Sequence, residues 1–205
     1  MIPFHVAVHS LDWKPEMTAF PNLLGVGGQS VSSPAYRWRG ATRRDSPHIL
    51  FQLTLEGCGV FMQGRRRYDV RPGFGFLCQS HNPGISYHYP RGGGAPWTFL
   101  YLCFVGRSAM AMAEDLVRQH GPIYALDTSD ALISRMKGYA DFAPEGSLVS
   151  SVADGADLVV TLLHKLLISA QPASRGKKTP PPPPQKPLPP PRNPPGAPPQ
   201  PRTPH

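Results

Sequence analysis

The chain has 205 residues, among them 27 prolines and 20 glycines, with 21 lysines and arginines against 13 aspartates and glutamates. This length suits one domain, with or without an appendage. Of the formal charge of +8, residues 171–205 carry +6 (three arginines, three lysines and no acid) and residues 1–170 carry +2. The basic composition therefore gives no sign of a nucleic-acid-binding face on the folded part.

The cellular setting follows from what the sequence lacks. No stretch approaches the roughly 18 apolar residues that a membrane helix needs, and the N-terminus has no charged segment followed by an apolar run, as a signal peptide would. Cys58, Cys78 and Cys103 are far apart, lie in apolar stretches and form no CxxC motif. We expect buried thiols in a reducing compartment, hence a cytoplasmic protein without a membrane partner.

Residues 1–40 show no clear periodicity. Prolines interrupt this region repeatedly, and the glycine-rich residues 25–28 match neither GxGxxG nor GxxxxGK[ST]. No helical pattern follows these glycines, as a phosphate-binding loop would require. We predict an N-terminal arm containing a turn.

Residues 41–106 are dominated by short strand patterns. Six runs rich in branched and aromatic residues follow one another between glycine- and proline-containing turns, namely HILFQLTLEG, CGVFMQG, RRRYDV, FGFLC, ISYHY and WTFLYLCFV. The spacing leaves no room for the helices of βαβ units. It predicts an antiparallel sandwich or barrel.

Helical patterns begin after Gly106. SAMAMAEDLVRQHG reads as a first helix that ends at Gly121 and Pro122. Residues 127–130 then offer side chains to cap a second helix, ALISRMKGYA.

A third helix is predicted from a cap at Ser147 to about Ala170. Its apolar positions recur at steps of three, four and seven, and comprise Leu148, Val152, Val159, Leu162 and Leu166. Such a stripe can dock on the sheet of its own chain or on a second subunit. Both possibilities remain open, so residues 107–170 are described as a helical packing or dimerisation region.

Residues 171–205 hold 16 of the 27 prolines and one large aliphatic side chain, Leu188. Such a segment cannot bury a core, which predicts a disordered or polyproline II tail. Residues 187–192 satisfy PxxPxR, a match that is close to inevitable in so proline-rich a segment.

Residues 43–106 resemble the sensor domain of AraC-type bacterial transcription regulators. The resemblance lies in HILFQLTLEGCGVF, Gly64 with the strand of Tyr68, RPGFGFLC, SYHYP and PWTFLYLCFVG, in that order. It extends over about residues 20–170. It implies a mainly β fold with α-helices: a cupin-like (jelly-roll) antiparallel barrel with a small-molecule pocket, followed by three helices that pair two subunits as a homodimer.

Strand alternation suggests which side chains could face a pocket. In HILFQLTLEG, Gln52 and Thr54 share one face and Phe51, Leu53 and Leu55 the other. One set would ordinarily be core and the other solvated. A polar pair directed into the barrel would be functional, because ligand cavities combine an apolar lining with a few polar groups.

The resemblance implies further ligand contacts. Positions near the ligand in sugar-binding members correspond to Arg43, His88, Tyr89, Phe99 and Tyr101. An arginine fork and aromatic faces suit a sugar or a carboxylate-bearing effector. The hydrocarbon ring of Phe99 stands where that pattern has a hydrogen-bonding side chain, which argues against a sugar.

No enzymatic site stands out. Metal-binding cupins have an HxH motif, and none occurs in this chain; Glu56 lies beside a turn, and His81 and His88 have no carboxylate near them in sequence. We therefore expect no metal, no other cofactor and no catalytic residue. The alternative function is a cupin-type isomerase or dioxygenase. The basic residues 65–67 are interpreted as a solvated face or the protection of an edge strand.

The end of the chain departs from the family, in which a domain with two helix-turn-helix units follows the sensor. The 35 residues 171–205 fall below the ~50 of a small domain, and their prolines forbid a recognition helix. We thus expect a sensing and dimerisation domain that does not itself contact DNA. A frameshift in a G+C-rich gene is our hypothesis for the tail; the alternative is a genuine proline-rich interaction protein.

Overall fold

A computed structural model describes residues 3–10, 12 and 18–171. The strands are β1 (Phe4–Ser10), β2 (Asn22–Val31), β3 (Arg37–Arg39), β4 (Ile49–Glu56), β5 (Gly59–Gln63), β6 (Arg66–Val70), β7 (Phe74–Gln79), β8 (Ile85–His88), β9 (Trp97–Val105), β10 (Ile123–Ala125) and β11 (Ser147–Ser150). The helices are α1 (Arg107–His120), α2 (Ala131–Gly138) and α3 (Val152–Ala170), with 3₁₀ turns at Gly40–Thr42 and Tyr139–Glu145.

Two sheets face each other. The larger has the order β10-β7-β4-β9-β2-β1-β11 and the smaller the order β3-β8-β5-β6. All strand pairs are antiparallel except β1 with β11. Aromatic side chains from both sheets meet between them, and the helices cover the outer face of the larger sheet with a second apolar core. This is the cupin-like barrel with three helices that the sequence predicted.

The six strand runs of residues 41–106 are confirmed as β4 to β9. Their turns depend on glycine: Gly57, Gly64 and Gly73 have φ values of 69°, 58° and 80°, in the left-handed region that other residues rarely adopt. The first two helices are also confirmed. Gly121 ends α1, and the carboxylate of Asp130 accepts a hydrogen bond from the Leu132 amide at the start of α2.

The N-terminal region differs from the predicted arm. Strand β2 lies inside the larger sheet, between β9 and β1, so residues 25–28 form a strand rather than a turn. A Cβ atom at Gly27 would lie 2.3 Å from the Tyr101 hydroxyl, which means that the aromatic ring rests directly against the strand backbone. Gly27 therefore allows close packing, a use of glycine that leaves no hydrophobic periodicity to detect.

The start of the third helix was also predicted wrongly. Ser147–Ser150 is the edge strand β11, and α3 is capped by Ser151, whose hydroxyl accepts a hydrogen bond from the Asp154 amide at 3.0 Å. Leu148 consequently lies in a strand, partly buried against the core, and is not part of the helical stripe. Ser147 and Ser151 can each cap a helix. Because Ser147 pairs with β1 in a parallel arrangement, it lies in a strand, and the helix begins after Ser151.

The remaining stripe residues pack inside their own chain. Val152, Val159, Leu162 and Leu166 are all buried, the last three in the core beneath the larger sheet. Of the two possibilities left open by the sequence, docking within the chain is the one observed for these residues. These four side chains are therefore not available on the surface of α3.

The predicted disorder of the tail concerns residues outside the described part of the chain, apart from Gln171. Within the described residues, no helix combines the length and apolar character needed to cross a membrane.

Candidate functional site: the barrel cavity

A cavity of about 460 Å³ opens between the two sheets. Its walls come from β1, β2, β4 and β9 of the larger sheet, from β3 and β8 of the smaller one, and from the segments that flank β3. The side chains that matter for its chemistry are His5, Tyr36, Trp38, Arg43, Asp45, His48, Gln52, Tyr87 and Tyr101. The volume falls in the range of small-ligand sites in proteins.

Both faces of β4 are buried, which resolves the alternation seen in the sequence. Phe51 and Leu53 pack beneath the helices, whereas Leu50 and Gln52 line the cavity. The helical layer thus takes the place of solvent on the outer face. As a result Gln52, only 2% exposed, places an amide inside an otherwise largely apolar space.

Arg43 sits at the centre of a charged and aromatic cluster. Its Nε and Nη2 atoms donate to the two carboxylate oxygens of Asp45, at 2.9 and 2.5 Å, and its Nη1 lies 3.4 Å from the Tyr87 hydroxyl. The guanidinium carbon lies 4.8 Å from the centre of the Trp38 ring. These hydrogen bonds hold the pKa of Asp45 at about 2, so the pair is ionised at neutral pH.

Two of the residues that line the cavity, Gln52 and His48, each have an Nε2 atom that is buried within the protein and lacks a hydrogen-bond partner among the described residues. His48 Nδ1 lies 2.8 Å from the Ser46 carbonyl, which can only accept, so Nδ1 carries the proton. Burial lowers the pKa of His48 and keeps the ring neutral. Its Nε2 is therefore an acceptor, whereas Gln52 Nε2 is a donor.

Tyr101 connects the cavity with the N-terminal strand. Its hydroxyl lies 2.9 Å from Nδ1 of His5, and the two rings are stacked with centroids 6.0 Å apart. Burial raises the pKa of Tyr101 to about 12, which leaves a neutral phenol. Strand β1, which carries His5, thereby takes part in the cavity wall.

The seven predicted ligand contacts divide into two groups. Arg43, Gln52 and Tyr101 line the cavity together. Thr54 instead belongs to the core, because its buried hydroxyl accepts from Trp97 Nε1 at 2.9 Å and donates to the Val70 carbonyl at 3.1 Å.

The other three also serve different purposes. The Tyr89 hydroxyl donates to the Ala95 carbonyl and fastens the loop before β9. Phe99 packs in the interior between Tyr36 and Trp97, with centroid distances of 5.8 and 4.7 Å. His88 lies on the opposite face of β8 from the cavity-lining Tyr87, as alternation requires.

Sequence reasoning missed Asp45, His48, Trp38 and Tyr87. The Arg-x-Asp spacing of Arg43 and Asp45 was a usable signal for an ion pair. Tyr87 could have been inferred as well, because it alternates with His88 and therefore occupies the other face.

Outside the cavity, the basic residues 65–67 lie at the turn into β6, an edge strand of the smaller sheet. Arg67 pairs with Asp69 at 2.9 Å, while Arg65 and Arg66 are exposed. No group of three or more His, Cys, Asp or Glu side chains suited to hold a metal ion occurs in the described part of the chain.

The facing sheets, the cavity of ligand size between them and the helical layer define a cupin-like β-barrel domain. Residues 26–148 match the family described as the AraC-like ligand binding domain. Since this match covers more than half of the sequence, the chain belongs to that family.

Solved structures show weaker similarity. The AraC-like transcriptional activator CuxR is 14% identical over 77% of this chain and 54% of its own, with a TM-score of 0.42. YhaK from Escherichia coli is 15% identical over 62% and 52%, also with a TM-score of 0.42. A mannose-6-phosphate isomerase assigned in Ralstonia eutropha JMP134 is 17% identical over 48% and 89%, with a TM-score of 0.25. The chain spans about half the length of the first two proteins. No curated protein matches the chain.

Proposed function

We propose that the barrel cavity binds a small organic effector and that this sensing domain of an AraC-type transcription regulator pairs with a second copy of itself. The observation that supports effector binding is the cavity of about 460 Å³ itself, in which Arg43, Gln52 and Tyr101 set polar groups among aromatic and aliphatic side chains.

Effector binding is tested by screening small molecules for an increase in the melting temperature of the full chain. A ligand at 100 times its dissociation constant stabilises the folded state by about 2.7 kcal/mol. Gln52→Leu should raise, at least tenfold, the ligand concentration that is needed for a given increase in melting temperature. Gln63→Leu, the same substitution outside the cavity lining, is the matched control and should behave as wild type. Equal loss in both variants would contradict the assignment.

Pairing is supported by an apolar surface on the helices that the intrachain core does not use. Met112, Val160, Leu167 and Ile168 are each between 41 and 54% exposed. The first three line a groove of about 330 Å³ between α1 and α3. A second copy is the proposed occupant, because a two-fold axis lets one such apolar helix face bury its own equivalent.

The pairing surface is tested with Val160→Asp and Leu167→Asp in sedimentation equilibrium. We expect wild type to be dimeric and both variants to be monomeric with unchanged circular dichroism. Val149→Asp, which also replaces an exposed apolar residue but on β11, should remain dimeric. A monomeric wild type, or dimers in all variants, would remove the support for this surface.

A further inference from the structure

A second and larger cleft lies outside the barrel cavity. Its volume is about 1170 Å³, above the roughly 300–1,000 Å³ of most small-molecule sites. Strand β6 and the turn before it contribute one part of its lining, and α1 with the turn into β10 contributes another. The end of β7 and the start of β8 complete it. Among the described residues, none lines both this cleft and the barrel cavity.

Two sheet edges reach the cleft without a strand partner. Among the described residues, β6 pairs with β5 alone and is an edge of the smaller sheet. Strand β10 covers β7 as far as Phe76, and the Leu77 amide still donates to the Pro122 carbonyl. Beyond that point, Cys78 and Gln79 pair in the described structure with β4 on their other side. Exposed edges of this kind accept an extended peptide as an additional strand.

The cleft combines apolar surface with positive charge. Its apolar lining includes Ile49, Tyr68, Leu77, Ile85, Val117 and Ile123. Arg65 and Arg66 are exposed on the β6 side and form no ion pair with another described residue. Arg118 lies on the α1 side and pairs with Asp115. Glu114, the acidic residue of the described lining, accepts a hydrogen bond from Gln79 Nε2 at 2.5 Å.

The positive charge restricts which strand can be added. Pairing of β6 with the β6 edge of a second copy would bring Arg65 and Arg66 of both copies together, and like charges on paired strands destabilise the pairing. Residues 171–205 carry six basic residues and no acid, and their 16 prolines lack the N–H group that strand pairing needs. A segment with acidic side chains is complementary to the cleft in charge.

We propose that this cleft binds an extended acidic segment of a partner protein, which adds as a strand in the gap between β6 and the end of β7. Side chains of a strand alternate between its two faces. One face of the segment, made of apolar residues, covers the apolar lining, and the other presents carboxylates to Arg65 and Arg66. The site is separate from both the barrel cavity and the helical pairing surface, so it binds with or without an effector.

The probe is the acetylated and amidated peptide VEVEVEV, titrated into the full chain by calorimetry. It should bind at least tenfold more tightly than VKVKVKV, and tenfold more tightly than VEVEVEV with N-methyl groups on alternate residues, which cannot pair as a strand. Affinity should fall between 0.1 and 1 M salt, because the screening length drops from about 10 to about 3 Å. Absence of VEVEVEV binding, equal affinity for the lysine or N-methylated peptide, or tighter binding of decathymidylate would overturn the proposal.

Variants of the cleft locate the binding. Arg65→Glu combined with Arg66→Glu should weaken VEVEVEV binding at least tenfold and strengthen VKVKVKV binding, with unchanged circular dichroism, since both residues are exposed. Arg91→Glu combined with Arg107→Glu reverses two other exposed arginines that lie outside the cleft, and this control should bind as wild type. Equal loss in the two double variants, or no loss in the first, would overturn the assignment to this cleft.

Discussion

Replacing Thr54 by valine tests whether this residue is a structural element rather than a ligand contact. The side chain is 0% exposed, and its hydroxyl accepts from Trp97 Nε1 and donates to the Val70 carbonyl. Valine has nearly the same shape but neither bond. The buried indole N–H loses its partner at a cost of about 1–3 kcal/mol, and the lost carbonyl bond adds about 0.5–1.5 kcal/mol. We expect Thr54→Val to lower the free energy of unfolding by about 2–4 kcal/mol.

Thr54→Ser supplies the control, since it keeps the hydroxyl and removes one methyl group. By comparison with other single-methyl deletions it should cost about 1 kcal/mol. Urea denaturation followed by tryptophan fluorescence measures both values, because Trp97 is fully buried beside the substitution. Effector affinity of the folded Thr54→Val protein should stay within a factor of about three of wild type. A valine variant as stable as the serine variant, or one that folds normally but loses binding, would refute the reasoning.

Three further outcomes follow from the structure. Gly27→Ala places a Cβ atom 2.3 Å from the Tyr101 hydroxyl and should destabilise the chain by roughly 1–3 kcal/mol while weakening effector binding more than tenfold in calorimetry. Burial lowers the pKa of His48 below its usual 6.5, so the unfolded state binds more protons. Stability should thus fall as pH drops below 6.5, and urea titrations should show a shallower fall for His48→Gln. Burial raises the pKa of Cys78 to about 12, so native iodoacetamide labelling should modify the partly exposed Cys58 first.

The strands of the barrel could be predicted from sequence because two local signals coincide there. Alternating apolar residues mark each strand, and a glycine with positive φ marks the turns at Gly57, Gly64 and Gly73. Strand β2 lacks the first signal. Gly27 is explained by the Tyr101 ring, which lies 74 residues further along the chain and which no local pattern reveals.

The site was predicted in part for a similar reason. Strand alternation placed Gln52 and Thr54 on the same polar face and gave them the same predicted role. Only the folded structure shows that the Thr54 hydroxyl is taken up by Trp97, whereas Gln52 lines the cavity. The resemblance to AraC-type sensors pointed to Arg43 but not to its partner. The bidentate pairing of Asp45 with Arg43 is a property of the folded chain that neither residue type indicates alone.

The larger sheet joins the cavity to the helical surface. Within β9, Tyr101 lines the cavity, while Leu100 and Leu102 on the opposite face pack in the core beneath the helices. Proximity alone does not make an effector control pairing, since a ligand shifts an equilibrium only through different affinities for its two states. If each site binds the effector about tenfold more tightly in the dimer than in the monomer, linkage requires that two bound effectors strengthen pairing about a hundredfold, or about 1.4 kcal/mol for each site. The test of such coupling is whether the dimer dissociation constant falls when effector is added, and a route through β9 requires that the change be lost when Tyr101 is replaced by leucine.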